Sequence, residues 1–296
     1  MDLLLACALF VAGLAFGSFL NVCISRIPRD LSIVTPRSCC PHCETSIQWR
    51  DNIPVLSWLL LRGHCRKCGI AISRRYPAVE LLTAALFVAS YASFGFTWLA
   101  VKACVFCFLL IGLIFMDAET GLLPHEFTYP GIIVGLVFAW VAPVDLSGTA
   151  FLLRAFGLRE LLPTAGLSLL DAGIAAAFGA SFFYVAWGLY YLFRKRQGVG
   201  FGDIALIALI GAFLGLKLTL LVVFLSPILA TLFAVTLLFG NSGAAQVTTA
   251  PEASAGAVAN SFLSRAVPFG VFLGSSALVA LFFGETIWTW YLGMFR

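Results

Sequence analysis

The sequence predicts an all-α polytopic membrane protein with about eight transmembrane helices and a small cytoplasmic zinc-binding loop domain. Of 296 residues, 61% are hydrophobic and 11% are charged, whereas soluble domains carry about 25% charged residues. The mean hydropathy is +1.01, and apolar runs long enough to cross a bilayer recur along the chain. Nine of the 18 Lys and Arg residues fall between Arg26 and Arg75. That concentration is a topological signal, not the footprint of a nucleic-acid partner, and no nucleic acid is expected.

The first run, Leu3 to Ile24, has no Lys or Arg before Arg26. It lacks the basic start of a cleaved signal peptide and reads as a retained helix. Ser25 to about Pro77 is polar and rich in Arg, Pro and Cys, with no long amphipathic stretch. Further apolar runs follow at about Val79–Phe96, Trp98–Met116, Tyr129–Val141, Ala172–Phe193, Asp203–Leu216, Leu218–Phe239 and Val267–Phe283. With the first, they make eight. Ala142 to Leu170 is Leu-rich with room for an interfacial helix, and Gly240 to Ala259 reads as a flexible linker. The tail from Glu285 carries Trp288, Trp290 and Tyr291, which suit a membrane interface.

Basic loops face the cytoplasm. The Arg26–Arg75 loop and Arg194-Lys195-Arg196 both satisfy this rule if the N-terminus lies outside. The end of the third span and the start of the sixth then share the cytoplasmic face.

Two C-x-x-C pairs, Cys40-Pro-His-Cys43 and Cys65-Arg-Lys-Cys68, are separated by 21 residues. Each can form a knuckle offering two thiolates to one tetrahedral ion, so the four read as a structural zinc site. Two disulfides would compete, but a cytoplasmic loop is reducing. Ligation would also explain how a domain without an apolar core folds. Cys39 reads as a bystander, and Cys104 and Cys107 as packing within a helix. His42 and His64 could ligate only by displacing a Cys.

Asp117 closes the run Val101 to Met116, and Asp203 opens another after Gly200-Phe-Gly202. An Asp at the centre of a bilayer helix costs roughly 2.5–3.5 kcal/mol on insertion scales. Either acid alone could be a solvated helix end. Two on the same face read as one acid pair, which titrates as a unit. One partner takes a proton from water while the other polarises a carbonyl. Gly200 and Gly202 are expected to allow close backbone approach and positive φ. The pair is expected to line a groove open to the cytoplasm and to lipid. Glu119, Glu126 and His125 read as interface residues near Asp117, with His125 placed to touch substrate.

The chain resembles the type IV prepilin peptidases, membrane aspartic proteases with a G-x-G-D motif. The resemblance rests on Gly17-Ser-Phe-Leu-Asn21, Arg26-Ile-Pro28, the tetracysteine loop with Trp49-Arg-Asp-Asn-Ile-Pro54, and Arg62-Gly63. It continues through Arg75-Tyr-Pro-Ala-Val-Glu80, Leu123-Pro124, Gly200-Phe-Gly-Asp203 and Val267-Pro-Phe-Gly270. It implies a first transmembrane helix over 1–24, a cytoplasmic tetracysteine domain over 25–78 and a seven-helix peptidase domain over 79–296. Asp117 and Asp203 would be catalytic, cleaving leader peptides of prepilins and pseudopilins at the cytoplasmic side of a bacterial inner membrane, among membrane lipid. Members with the tetracysteine loop typically also N-methylate the new N-terminus with S-adenosylmethionine. This chain departs from the family at His125, where Asp is frequent, and at Ala205, where Lys is usual.

Two other readings compete. A proton-coupled transporter would use the aspartates as proton carriers and would show internal repeats and midplane helix breaks; no repeat is evident. A non-catalytic zinc-loop scaffold of a secretion system would need no acid pair.

Overall fold

A computed structural model describes residues 2–40, 42–143, 162–195, 200–240 and 268–294. Its helices are α1 (Leu3–Arg26), α2 (Leu56–Leu60), α3 (Arg75–Phe94), α4 (Trp98–Thr120), α5 (His125–Val141), α6 (Thr164–Arg194), α7 (Phe201–Gly240) and α8 (Phe269–Gly293). Six are long and apolar enough to cross a membrane, and the shorter α5 is apolar too. Among the described residues there are no strands, only isolated bridges at Cys39–Ser46 and His64–Ala71.

The helix α7 is not one rod. A straight 40-residue helix would run about 60 Å, twice a bilayer core of about 30 Å. The neighbouring α8 shows what the chain does instead. Leu123 approaches both Gly202, at the start of α7, and Gly270, at the start of α8. At the far end of α8, Lys217 pairs with Glu285 at 2.5 Å. Phe233 then lies 5.5 Å from Phe272, back beside Gly270. The backbone therefore runs out over 201–214 and returns over 216–240. It reverses at Gly215, whose φ of 75° and ψ of 175° leave the helical region. Counting the two limbs separately, the described residues make eight passes, as the sequence implies.

At the reversal, a Cβ on Gly215 would sit 2.1 Å from Asp171 Oδ2. That carboxylate accepts the Leu216 amide at 3.3 Å and so caps the returning limb. An L side chain there is strained by its φ and has no space. Gly215→Ala is expected to cost at least about 1–3 kcal/mol, read as a lower thermal midpoint in detergent. An unchanged midpoint would mean that the reversal does not depend on this geometry.

The passes close around one core. Phe106 of α4 stacks on Phe213 of α7 with centroids 4.7 Å apart. Leu20, Ile24, Leu113, Met116, Leu206 and Leu273 are buried in the same cluster. Pairing of α1 with α3 relies on Gly13 and Gly17, where a Cβ would meet Ala84 Cα at 2.5 Å and Glu80 Cα at 2.6 Å. Small residues one turn apart let membrane helices approach this closely.

Several helices begin earlier than their apolar runs. The helix α3 starts at Arg75 instead of Val79, α5 at His125 instead of Tyr129, and α6 at Thr164 instead of Ala172. The first turns of α3 and α5 carry Arg75 and His125 with Glu126, so hydropathy alone places these two late, whereas α6 starts directly after Pro163. The helix α8 continues to Gly293, taking in much of the aromatic tail. The expected linker at Gly240–Ala259 lies outside the described residues from 241 onward, as does most of the Leu-rich stretch after Ala142.

Candidate active site and metal centre

Both aspartates stand at one end of the bundle, each against the start of a helix. Asp117 lies in the last turn of α4 and is 5% exposed, and Asp203 in the first turn of α7 is 9% exposed. Buried carboxylates require hydrogen-bond donors, and here backbone amides supply them. Asp117 Oδ2 accepts the Val271 amide at 3.0 Å. Pro268 precedes α8 and makes no side-chain cap, so Asp117 caps α8 from across the bundle, at the positive end of its dipole. Asp203 Oδ2 accepts the Gly200 amide at 3.3 Å, the return contact of a capping box. Leu123 packs against Gly202, next to Asp203, and against Gly270, which borders the Asp117 carboxylate, so both acids stand around one leucine. The pair proposed from the sequence is thus brought together.

The surrounding glycines act through space. A Cβ on Gly202 would meet Leu123 Cβ at 2.7 Å, and one on Gly270 would meet Asp117 Oδ2 at 2.7 Å. Gly202 is helical, so the left-handed backbone expected of it is not used. Gly270→Ala is expected to push the Asp117 carboxylate aside. A displacement near 1 Å can cost roughly 10²-fold in rate, with thermal stability and expression read alongside. Wild-type turnover in this variant would show that the carboxylate tolerates the shift. The open groove expected at the pair is not seen among the described residues: both acids are largely covered, and Leu123 bridges the two glycine motifs.

The remaining polar groups sort themselves. Glu119 is held by Arg75 Nη1 at 2.6 and 2.5 Å, which ties the end of α4 to the start of α3. Exposed His125 stacks on Tyr129 with centroids 4.8 Å apart. Ala205 is buried. Glu80, which sequence reasoning left without a role, anchors the loop domain. Its Oε2 accepts the Val55 amide at 2.7 Å. Val55 has φ +60°, and the Leu56 amide donates to Pro54 O at 2.6 Å. This tight turn is rare for a β-branched residue and needs such an anchor.

Cys40, Cys43, Cys65 and Cys68 bring their sulfurs within 4.8 Å of one another, and this cluster could hold a metal ion. Cys40 Sγ and Cys68 Sγ are 3.8 Å apart, and a tetrahedron with 2.3 Å bonds has edges of about 3.8 Å. Thr45, through its hydroxyl and then its backbone, holds the Cys43 thiol down to about 6, within the range where a thiolate ligand forms at neutral pH. Among the described residues no cysteine is in a disulfide. Exposed Cys39 and the histidines His42 and His64 stand outside the cluster, and Cys107 packs in the core of α4. Between Ile27 and Arg74 the buried described residues are Cys40, Ser57 and Gly63. This domain has no apolar core, as its composition implies.

The family model "Type IV leader peptidase family" matches residues 104–235, and "Bacterial Peptidase A24 N-terminal domain" matches residues 11–94. A prepilin leader peptidase/N-methyltransferase of Aeromonas hydrophila is 34% identical over 313 residues, covering 97% of this chain and 93% of that protein. One of Klebsiella pneumoniae is 37% identical, covering 70% and 84%. One of Myxococcus xanthus is 43% identical over 71% of this chain, which spans 56% of that protein. No solved structure matches the chain.

Proposed function

The chain belongs to the type IV leader peptidase family, and from that premise we propose that it cleaves prepilin leader peptides with Asp117 and Asp203 and N-methylates the released end. The single observation that carries the peptidase reading is the buried pair itself. Two carboxylates from distant parts of the chain stand at the same end of the bundle, each held by a backbone amide. Amides that fix both groups preorganise them, so little reorganisation is needed when charge moves in the reaction. Of two neighbouring acids one keeps its proton. The protonated partner donates to the scissile carbonyl, and the ionised partner takes a proton from water as that water attacks. The protons return when the leaving amine departs.

In this reading residues 25–78 form a zinc domain, with Cys40, Cys43, Cys65 and Cys68 as ligands. The tetrathiolate set and its tetrahedral spacing support zinc, whose ligation stabilises a domain with almost no buried apolar residues. S-adenosylmethionine would supply an electrophilic methyl group for the second activity. The basic loop supports a cytoplasmic orientation for this end of the bundle, at a bacterial inner membrane where prepilins and pseudopilins would present their leaders. The transporter and scaffold readings have no support among the relatives.

Detergent-solubilised protein incubated with a prepilin should yield a shortened, N-methylated product by mass spectrometry. Full-length prepilin after prolonged incubation with folded, zinc-loaded protein would contradict the reading.

A further inference from the structure

We propose that the cleft between the end of α1 and the first half of the tetracysteine domain is the binding site for the methyl donor. This rests on the methyltransferase part of the function proposed above and locates it. The cleft has a volume of about 280 Å³ and is lined by Phe19, Arg26, Ile33, Arg37, Trp49 and Asn52 among others. Small-molecule sites are concave and combine apolar walls with a few placed polar groups; this cleft is lined about evenly by polar and apolar surface, which suits a ligand that is itself part charged and part aromatic.

S-adenosylmethionine presents a flat purine, a sulfonium and an amino-acid carboxylate, and the cleft has a partner for each. The Trp49 side chain is 80% exposed, so its ring is free to stack on a purine and to attract a cation. Arg37 makes no ion pair among the described residues, leaving its guanidinium for a carboxylate. The Asn52 amide can donate to and accept from a purine edge. Phe19 and Ile33 supply apolar wall. Arg26 serves as scaffold: it donates to Ser32 O at 2.9 Å and Pro36 O at 2.7 Å, holding the outer wall against α1.

Both metal knuckles brace this cleft. Ser38 and Ile47, which line it, are joined across the base of the first knuckle by the Ile47 amide to Ser38 O at 2.8 Å. Arg66, inside the second knuckle, grips Asp51 through Nε at 2.9 and 3.1 Å and Nη2 at 2.7 Å. Asp51 belongs to the 3₁₀ turn Trp49–Asp51, so this grip holds the turn that carries Trp49. The acid pair uses no residue of the cleft. In the transfer, the released neutral amine bonds the methyl carbon, the carbon–sulfur bond breaks to leave a thioether, and the extra amine proton passes to water.

The test is calorimetric titration of S-adenosylmethionine into the purified full chain in detergent, with Trp49→Ala, Trp49→Phe and Arg37→Ala. Zinc content and product masses are read from the same preparations. Trp49→Ala and Arg37→Ala should each weaken donor binding at least tenfold with zinc retained. Trp49→Phe should recover most of the affinity, and cleaved but unmethylated pilin should accumulate with the two Ala variants. Wild-type affinity in both Ala variants would overturn the site while leaving the methyltransferase reading intact. A wild-type protein that neither binds the donor nor methylates would overturn both. Loss of prepilin affinity with donor binding unchanged would reassign the cleft to the peptide.

Discussion

Asp117→Asn and Asp203→Asn should each reduce prepilin cleavage by at least roughly 10²–10⁴-fold, the contribution of one general acid or base. Asn keeps the shape, and its side-chain oxygen can still accept the Val271 amide at position 117 or the Gly200 amide at position 203. Both variants should therefore keep the wild-type thermal midpoint and zinc content, which separates lost chemistry from lost structure. In the proposed mechanism the pair acts as a unit, so combining the changes should add almost nothing to either one. A double variant far below both singles, with measurable activity in each, would mean that the two acids work independently.

Cys43→Ser and Cys65→Ser should each abolish metal binding, from about one zinc per chain to background. They should also unfold the domain around it. Structural zinc contributes an apparent 10–16 kcal/mol or so in small metal domains. Here three described residues between Ile27 and Arg74 are buried, which leaves little else to hold the fold. The transmembrane helices keep their own core, in which Phe106, Leu206 and Leu273 are fully buried. Proteolysis should therefore cut the loop and spare the bundle. Methylation should be lost, whereas cleavage by the acid pair should persist at a reduced level. Equal loss of both activities in a protein whose bundle stays folded would show that the domain serves the peptidase too. Full zinc in either variant would remove that residue from the ligand set.

Much of this was legible because membrane chains expose their logic in composition. Apolar runs of bilayer length have few alternatives to helices, and two C-x-x-C pairs at this separation have few uses besides holding a metal ion. Asp117 and Asp203 stood out because charge in an apolar run is costly. What sequence could not show is contact at long range. The partner of Asp117 is an amide 154 residues away, visible only once α8 packs against α4. Glu80 reads as one more polar residue at the start of a span, yet it holds Val55 in a backbone state the sequence does not announce. Lys217 separates two apolar runs in the sequence, but nothing there marks Gly215 as the residue that turns. Its place at the reversal follows from Asp171 and from the contacts that bring Phe233 back to Phe272. The helices α3 and α5 start before their apolar runs for a simpler reason: their first turns carry Arg75 and His125 with Glu126, where backbone amides seek partners.

The most direct measurement of the paired-acid mechanism is cleavage of a purified prepilin in water enriched in heavy oxygen, followed by mass spectrometry of both products. Water activated between Asp117 and Asp203 places one heavy oxygen on the new carboxylate of the leader and none on the released pilin. That product should form with the wild-type protein and be absent with Asp117→Asn and Asp203→Asn in folded, zinc-loaded preparations. Labelled leader released at the wild-type rate by either variant would contradict catalysis by the pair.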